Sequence, residues 1–101
     1  MKIETLLSGN SLHLAVEPAG SATLHFAADG TLSALLPSGV NDTGRWTLRS
    51  PDSYCIDWAN GPKESCTRIE WREGVAWLYD VSGKLRGRVT RVVPGRDPIL
   101  L

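Results

Sequence analysis

Hydrophobic and polar residues alternate in short runs along most of this chain, and glycine or proline separates one run from the next. Alternation with a period of two is typical of strands that bury one face. The first segment, Lys2–Leu7, instead has the spacing of one or two helical turns, which Gly9 and Asn10 would end. The alternation predicts eight strands, at Ser11–Glu17, Ser21–Ala27, Thr31–Leu36, Gly44–Arg49, Ser53–Trp58, Glu64–Trp71, Val75–Asp80 and Lys84–Val92.

Short strands at such regular spacing predict an all-β fold in which antiparallel neighbours follow one another in chain order. The sheet is either closed as a small lipocalin-like barrel or folded as a sandwich. The chain has 101 residues, the usual size of one domain, and contains no linker, repeat or low-complexity tract. We therefore predict a single β domain over residues 1–101 that begins with a short helical turn.

The loops between the predicted strands indicate how the strands pair. Glycine ends the segments 28–30, 72–74 and 81–83, which favours three-residue hairpin loops because glycine adopts the left-handed conformation of the last position at little cost. In this register Ile69 faces Trp77. The same register places six aromatic residues on one face, which we expect to be the core: Trp46, Tyr54, Trp58, Trp71, Trp77 and Tyr79.

The two cysteines lie symmetrically about Asn60 and Gly61 in one predicted hairpin, so Cys55 falls directly opposite Cys66. Opposed residues have Cα atoms about 4.5–5.5 Å apart, within the range of a disulfide. We therefore predict a Cys55–Cys66 disulfide, a bond that persists mainly outside the cytosol. The first nine residues are too short and too polar for a signal peptide, so we expect a periplasmic or secreted protein whose signal has been removed.

The two histidines are the candidate metal ligands. A three-residue loop at 18–20 would place His13 opposite His25, but no third or fourth ligand lies near them in the sequence. We therefore expect a solvated pair rather than a metal site. The sequence also contains no serine nucleophile elbow, no phosphate-binding glycine loop and no metal-binding helix motif. We expect no cofactor and no enzyme activity.

The formal net charge is zero, from 11 Lys and Arg against 11 Asp and Glu. This balance argues against nucleic-acid binding, which requires an excess of positive charge. No apolar run approaches the roughly 18 residues of a membrane span. Near the C-terminus, however, Lys84 and four arginines precede Asp97 without an intervening acid. That run is either a solvated charged strand or a contact for an anionic ligand, a lipid head group or an acidic protein surface.

Large aromatic side chains are concentrated in the second half of the chain, where we expect most of them to fill the core of a small domain. Trp58 and Trp71 lie nearest to predicted hairpin ends and are the two that we expect to be exposed. An exposed tryptophan beside an arginine is a typical hot spot of a protein interface. The candidate residues for contact with a partner or ligand are Trp58, Trp71, Arg68, Arg72, Arg86, Arg88 and Arg91.

Several short motifs are spread over most of the chain. They are Gly9-Asn10-Ser11-Leu12, Asp29-Gly30, Gly44-Arg45-Trp46, Tyr54-Cys55-Ile56-Asp57-Trp58 and the second cysteine, Cys66. This series resembles a family of small exported proteobacterial domains of unknown function, with the pattern GN(T/S)L, DG, GxW, (Y/L)CxxW and Cys. His13 departs from the family, which often has glycine there. The resemblance implies export, a β-rich fold and a disulfide, and it carries over no catalytic residue.

Three functions are compatible with these features. The leading hypothesis is an exported, non-enzymatic binding module, inhibitor-like in its action, that binds a protein through loops or strand ends. The first alternative is a carrier of a small apolar or anionic ligand inside an aromatic-lined barrel. The second alternative is a structural or assembly protein of the cell envelope that oligomerises through edge strands.

Overall fold

A computed structural model describes residues 3–100 of the chain, and Lys2, where the predicted helical turn begins, lies outside them. Each strand pairs antiparallel with the next, and the last strand pairs with the first, so the sheet is a closed barrel rather than a sandwich. The elements are α1 (Ile3–Leu7), β1 (Asn10–Val16), β2 (Gly20–Phe26), β3 (Thr31–Leu35), β4 (Asn41–Ser50), β5 (Ser53–Trp58), β6 (Ser65–Arg72), β7 (Val75–Tyr79) and β8 (Leu85–Pro94).

The two ends of the barrel differ. Helix α1 leads into the first residue of β1 and buries Ile3, Leu6 and Leu7, so it covers the end at which β1 begins. At the opposite end, hairpin loops join β1 to β2, β3 to β4, β5 to β6 and β7 to β8. We call the first the closed end and the second the open end.

The strands β4, β5 and β6 pair as the sequence predicts. Trp46 faces Ile56, and Cys55 faces Cys66 with a Cα–Cα distance of 4.0 Å. The two sulfur atoms are bonded, which confirms the disulfide. The three-residue loops at 28–30 and 81–83 are also present, because the residues that flank each loop are joined by backbone hydrogen bonds.

The predicted pairing of β6 with β7 is wrong by one residue. Glu73 and Gly74 have positive φ values of 52° and 78°, and together they form a two-residue turn instead of the last part of a three-residue loop. Because neighbouring side chains in a strand point to opposite faces, the slip reverses β7. Ile69 therefore faces Leu78, which is buried, and Trp77 lies on the outer face.

The expected aromatic core is confirmed only in part. Trp46 and Tyr54 are buried in the barrel, and Phe26 packs edge-on against both, with ring centroids 5.5 and 5.3 Å away. Trp77 and Tyr79 belong to the reversed strand β7, and arginine side chains cover their rings on the outer face. Leucine, isoleucine and alanine residues occupy most of the remaining interior.

The pairing of the two histidines is also wrong. The loop between β1 and β2 comprises residues 17–19, because Gly20 pairs with Val16 as a strand residue instead of ending the loop. This difference moves the register by two positions. His13 therefore lies opposite Thr23, and His25 lies opposite Ser11.

Two glycines allow strands to approach more closely than a side chain would permit. A Cβ atom at Gly44 would lie 2.5 Å from the carbonyl oxygen of Asp57, and one at Gly87 would overlap the carbonyl oxygen of Ala15. Glycine at such positions lets a sheet bend sharply, which a small closed barrel requires.

Removal of the disulfide tests its contribution to this barrel. We expect the Cys55→Ala/Cys66→Ala variant to lose about 2–3 kcal/mol of unfolding free energy, because the cross-link reduces the conformational entropy of the unfolded chain. Urea unfolding measures the change. Reduced wild-type protein is the control and should unfold like the variant, whose own stability should not respond to reductant. Equal stability of oxidised and reduced wild-type protein would contradict the prediction.

Candidate functional site

A cavity of about 200 Å³ lies at the open end of the barrel. It is formed where inward-facing side chains of β1, β2, β5, β6 and β7 stop short of the loops. Its walls are largely apolar, and this is the environment in which proteins usually bind small molecules. The apolar lining consists of Leu14, Val16, Ala22, Leu24, Leu36, Pro37, Ile56, Trp58 and Leu78.

Three hydroxyl groups interrupt the apolar wall, on Tyr54, Ser65 and Thr67. Tyr54 faces Thr67 across β5 and β6, and the two side chains are hydrogen-bonded. Burial disfavours the phenolate and raises the pKa of Tyr54 to about 12. The phenol is therefore protonated at neutral pH and serves the cavity as a hydrogen-bonding group.

Arg86 is the charged side chain among the residues that line the cavity. In the β7–β8 ladder, Tyr79 pairs with Leu85 and Leu78 pairs with Gly87, which leaves Arg86 as the extra residue of a bulge. A bulge interrupts the regular alternation of side chains and redirects one of them. An exposed arginine thereby becomes part of the lining of an apolar cavity.

Trp58 forms part of the rim and is half-buried against the core. It faces Gly44 on β4, where an added Cβ atom would lie 3.3 Å from the Cα atom of Trp58. On the loop side, a Cβ atom at Gly61 would lie 3.2 Å from the Cβ atom of Trp58. The two glycines therefore permit close packing on both sides of this tryptophan.

A second candidate site lies on the outer face of β6, β7 and β8. The guanidinium of Arg68 lies 4.7 Å from the centroid of the Tyr79 ring, and that of Arg72 lies 5.6 Å from the Trp77 ring. Glu70 accepts a hydrogen bond of 2.9 Å from Arg68. We use the term guanidinium–aromatic surface for Arg68, Glu70, Arg72, Trp77, Tyr79 and the adjacent Arg88.

A larger concavity, of about 550 Å³, lies on the outer surface beside the disulfide. Its lining mixes acids with bases, and two of these residues, Arg49 and Glu64, form an ion pair across it. Exposed ion pairs of this kind are common on solvated surfaces. The cavity at the open end is smaller, but its apolar walls and position inside the barrel make it the stronger candidate.

The structure divides the residues that the sequence singled out. Trp58 and Arg86 belong to the open-end cavity, whereas Arg68, Arg72 and Arg88 belong to the guanidinium–aromatic surface. The remaining two lie elsewhere. Trp71 is 38% exposed near the closed end, and Arg91 lies opposite His13 on the outer face.

Sequence reasoning missed the polar wall of the cavity. Ser65 and Thr67 alternate with outward-facing residues of β6 and therefore point into the barrel. The sequence signal for this wall is the presence of serine and threonine at core-facing positions of a strand. A buried polar group of this kind requires a partner or a ligand.

The C-terminal residues 95–100 cross the outer face of β1, and we call them the C-terminal strap. Ser11 is fully buried beneath it, donates a hydrogen bond of 2.7 Å to the carbonyl oxygen of Gly95 and accepts one of 2.9 Å from the Asp97 amide. Asp97 Oδ2 accepts a hydrogen bond of 2.7 Å from His13 Nε2. The histidine that sequence reasoning paired with His25 therefore anchors the strap.

Hydrogen bonds also set the ionisation of Asp97. The amide of Ile99 and, next in importance, the imidazole of His13 donate to its carboxylate and lower the pKa of Asp97. Arg96, the last arginine of the basic run that precedes Asp97, donates a hydrogen bond of 2.7 Å to Ser33 Oγ. The basic end of the chain is therefore part of the fold.

Within residues 3–100, one group of three potential metal ligands lies close together, Cys55, Glu64 and Cys66. Its two sulfur atoms are joined in the disulfide, and a metal requires thiolates. His13 and His25 do not face each other, so they do not form the predicted pair.

Comparison of the chain with protein-family models, with curated proteins and with solved structures finds no match. Among residues 3–100, no helix has the length and apolar character needed to cross a membrane.

The strap generates a prediction about acid stability. A carboxylate whose pKa is lowered on folding stabilises the folded state above its unfolded pKa, and this stabilisation is lost as the pH falls through its folded pKa. We therefore expect Asp97→Asn to lower the melting temperature at pH 7 and the difference from wild type to narrow as the medium becomes acidic. Thermal unfolding across a pH series measures both effects.

Asp57→Asn is the matched control, because Asp57 is an exposed acid on β5, away from the strap. The same loss of charge there should leave the melting temperature at pH 7 nearly unchanged. An equal effect of the two variants would contradict a specific role for Asp97.

Proposed function

We propose that this protein is a non-enzymatic binding protein that takes a small, largely apolar molecule into the cavity at the open end of the barrel. The observation that carries the proposal is the apolar lining of that cavity, interrupted by a few hydroxyl groups and one arginine. Such a combination supplies favourable burial from its walls and orientation from its polar groups.

The size of the cavity limits the ligand. An apolar cavity of about 150 Å³ accommodates benzene, whereas drug-sized ligands occupy about 300–1,000 Å³. A cavity of about 200 Å³ therefore suits one aromatic ring or a short alkyl chain.

Tyr54 offers the cavity a protonated hydroxyl group at neutral pH, because burial raises its pKa to about 12. The same group, hydrogen-bonded to Thr67, is suited to orient a ligand. The disulfide and the motif resemblance support the further proposal that the protein acts after export.

Filling the cavity tests this function. Val16 is half-buried in the cavity wall, so Val16→Phe should occupy space that the ligand needs. We expect wild-type protein to bind 1-hexanol with shifts in the methyl signals of cavity-lining residues such as Leu14 and Leu24, and the variant to bind at least tenfold more weakly. Nuclear magnetic resonance titration measures the affinity.

Ser21→Phe is the control, because it adds the same ring at an exposed position outside the barrel. Its affinity for 1-hexanol should equal that of wild type. Unchanged affinity in a folded Val16→Phe variant, or hexanol shifts spread over the outer face, would exclude the cavity as the binding site.

The guanidinium–aromatic surface supports a second candidate function, the binding of an acidic protein segment. Aromatic rings hold Arg68 and Arg72 in place, so less side-chain entropy is lost when a carboxylate binds. Glu70 is the acid among these residues, and it leaves the surface with an excess of positive charge. Arginine and aromatic residues are also enriched in protein interfaces.

Charge reversal tests this second function. We expect a glutamate-rich octapeptide to bind wild-type protein at low salt and to bind Arg72→Glu at least fivefold more weakly, because a carboxylate then meets like charge. Arg45→Glu makes the same charge change on β4, opposite Asp57, and is the control. Equal weakening by both variants in a fluorescence anisotropy titration would show that net charge alone governs binding.

A further inference from the structure

We infer that the ligand of the open-end cavity is a small carboxylate anion with an apolar body, and that Arg86 binds its carboxylate at the rim. The inference rests on the proposed function, and it adds the chemical class of the ligand. It starts from an asymmetry in the cavity, where the walls are apolar and the charged group among the lining residues is one cation.

The bulge in β8 gives Arg86 this position. In a regular strand, successive side chains point alternately into the barrel and onto its outer face. The extra residue between Leu85 and Gly87 breaks that alternation, so that an exposed arginine lines the cavity. The backbone at this point is held to the neighbouring loop, because the carbonyl oxygen of Arg86 accepts a hydrogen bond of 2.7 Å from the Glu17 amide.

Among residues 3–100 no carboxylate accepts a hydrogen bond from the guanidinium of Arg86, although the charge of Arg86 adds to the hydrogen bonds from Ser82 and Lys84 in lowering the pKa of Asp80. None of the ion pairs formed among residues 3–100 includes it. The nearby Asp80 is committed to its own loop, where its Oδ1 accepts hydrogen bonds from the Ser82 hydroxyl and from the amides of Ser82 and Lys84, at 2.6, 2.9 and 3.0 Å. Arg86 therefore retains its hydrogen-bond donors for an incoming anion.

A cation at the mouth of an apolar cavity selects among ligands with the same apolar body. The body is buried in the cavity whatever its head group, and the head group remains at the rim beside Arg86. A planar guanidinium donates two parallel hydrogen bonds to a carboxylate, and these are stronger than hydrogen bonds between neutral groups. An ammonium head group would meet like charge, and an alcohol would form a weaker, neutral hydrogen bond.

Three ligands that share one alkyl chain test the inference: hexanoate, 1-hexanol and hexylammonium. At pH 7 and low salt we expect wild-type protein to bind hexanoate about tenfold more tightly than 1-hexanol, as a charge-assisted hydrogen bond allows, and hexylammonium most weakly. Titrations followed through the methyl signals of Leu14 and Leu24 measure all three affinities.

Arg86→Gln should remove the preference for hexanoate and leave the affinity for 1-hexanol unchanged, because the cavity walls stay the same. Arg86→Lys should restore part of the preference, since it keeps the charge without the planar fork. Arg45→Gln is the matched control, because it removes the same charge from the outer face of β4, opposite Asp57. It should behave like wild type.

The possible failures are distinguishable. If hexanoate and 1-hexanol bind equally well to wild-type protein and to Arg86→Gln, the inference is wrong and the proposed function stands. If Arg86→Gln and Arg45→Gln weaken hexanoate binding equally, general charge attraction replaces a specific site and the inference is again wrong. If neither ligand binds wild-type protein, the proposed function fails and the inference fails with it.

Discussion

Closure of the barrel between β1 and β8 is the constraint on which the other features depend. The closing ladder brings Gly87 so near to Ala15 that a side chain at the glycine would overlap the alanine's carbonyl oxygen. Closure separates an interior from an outer face, and α1 then fills one end. The cavity lies at the opposite end, which has no such helix within the described residues, and β8 carries the bulged arginine that lines it in its ladder with β7.

The parts of the fold that the sequence predicts well are those determined by local chemistry. The number of strands follows from alternation, and the β4–β6 register follows from turn residues and from cysteines placed symmetrically about Asn60 and Gly61. The errors arise where more than one turn suits the same residues. Glu73 adopts a positive φ that is uncommon outside glycine, asparagine and aspartate, so the two-residue turn that reverses β7 has no clear signal in the sequence.

The candidate sites depend on contacts between distant parts of the chain, which local patterns do not contain. Arg86 lines a cavity whose other walls come from residues as far away as Leu14. The partner of His13 is Asp97, at the other end of the sequence. The sequence singles out arginine and tryptophan residues, but only the closed barrel assigns them to an inner cavity or to an outer surface.

The closing ladder also has a consequence for the order of folding. Asn10 pairs with Pro94, so the hydrogen bonds that complete the sheet join the first strand to the last. Contacts between residues so distant in sequence carry a large entropic cost of loop closure, and this cost slows folding. Local hairpins such as β5–β6 close short loops at a smaller entropic cost, whereas the barrel closes only when β8 is available to pair with β1. During synthesis, the growing chain therefore remains unable to complete its barrel until β8 has been made.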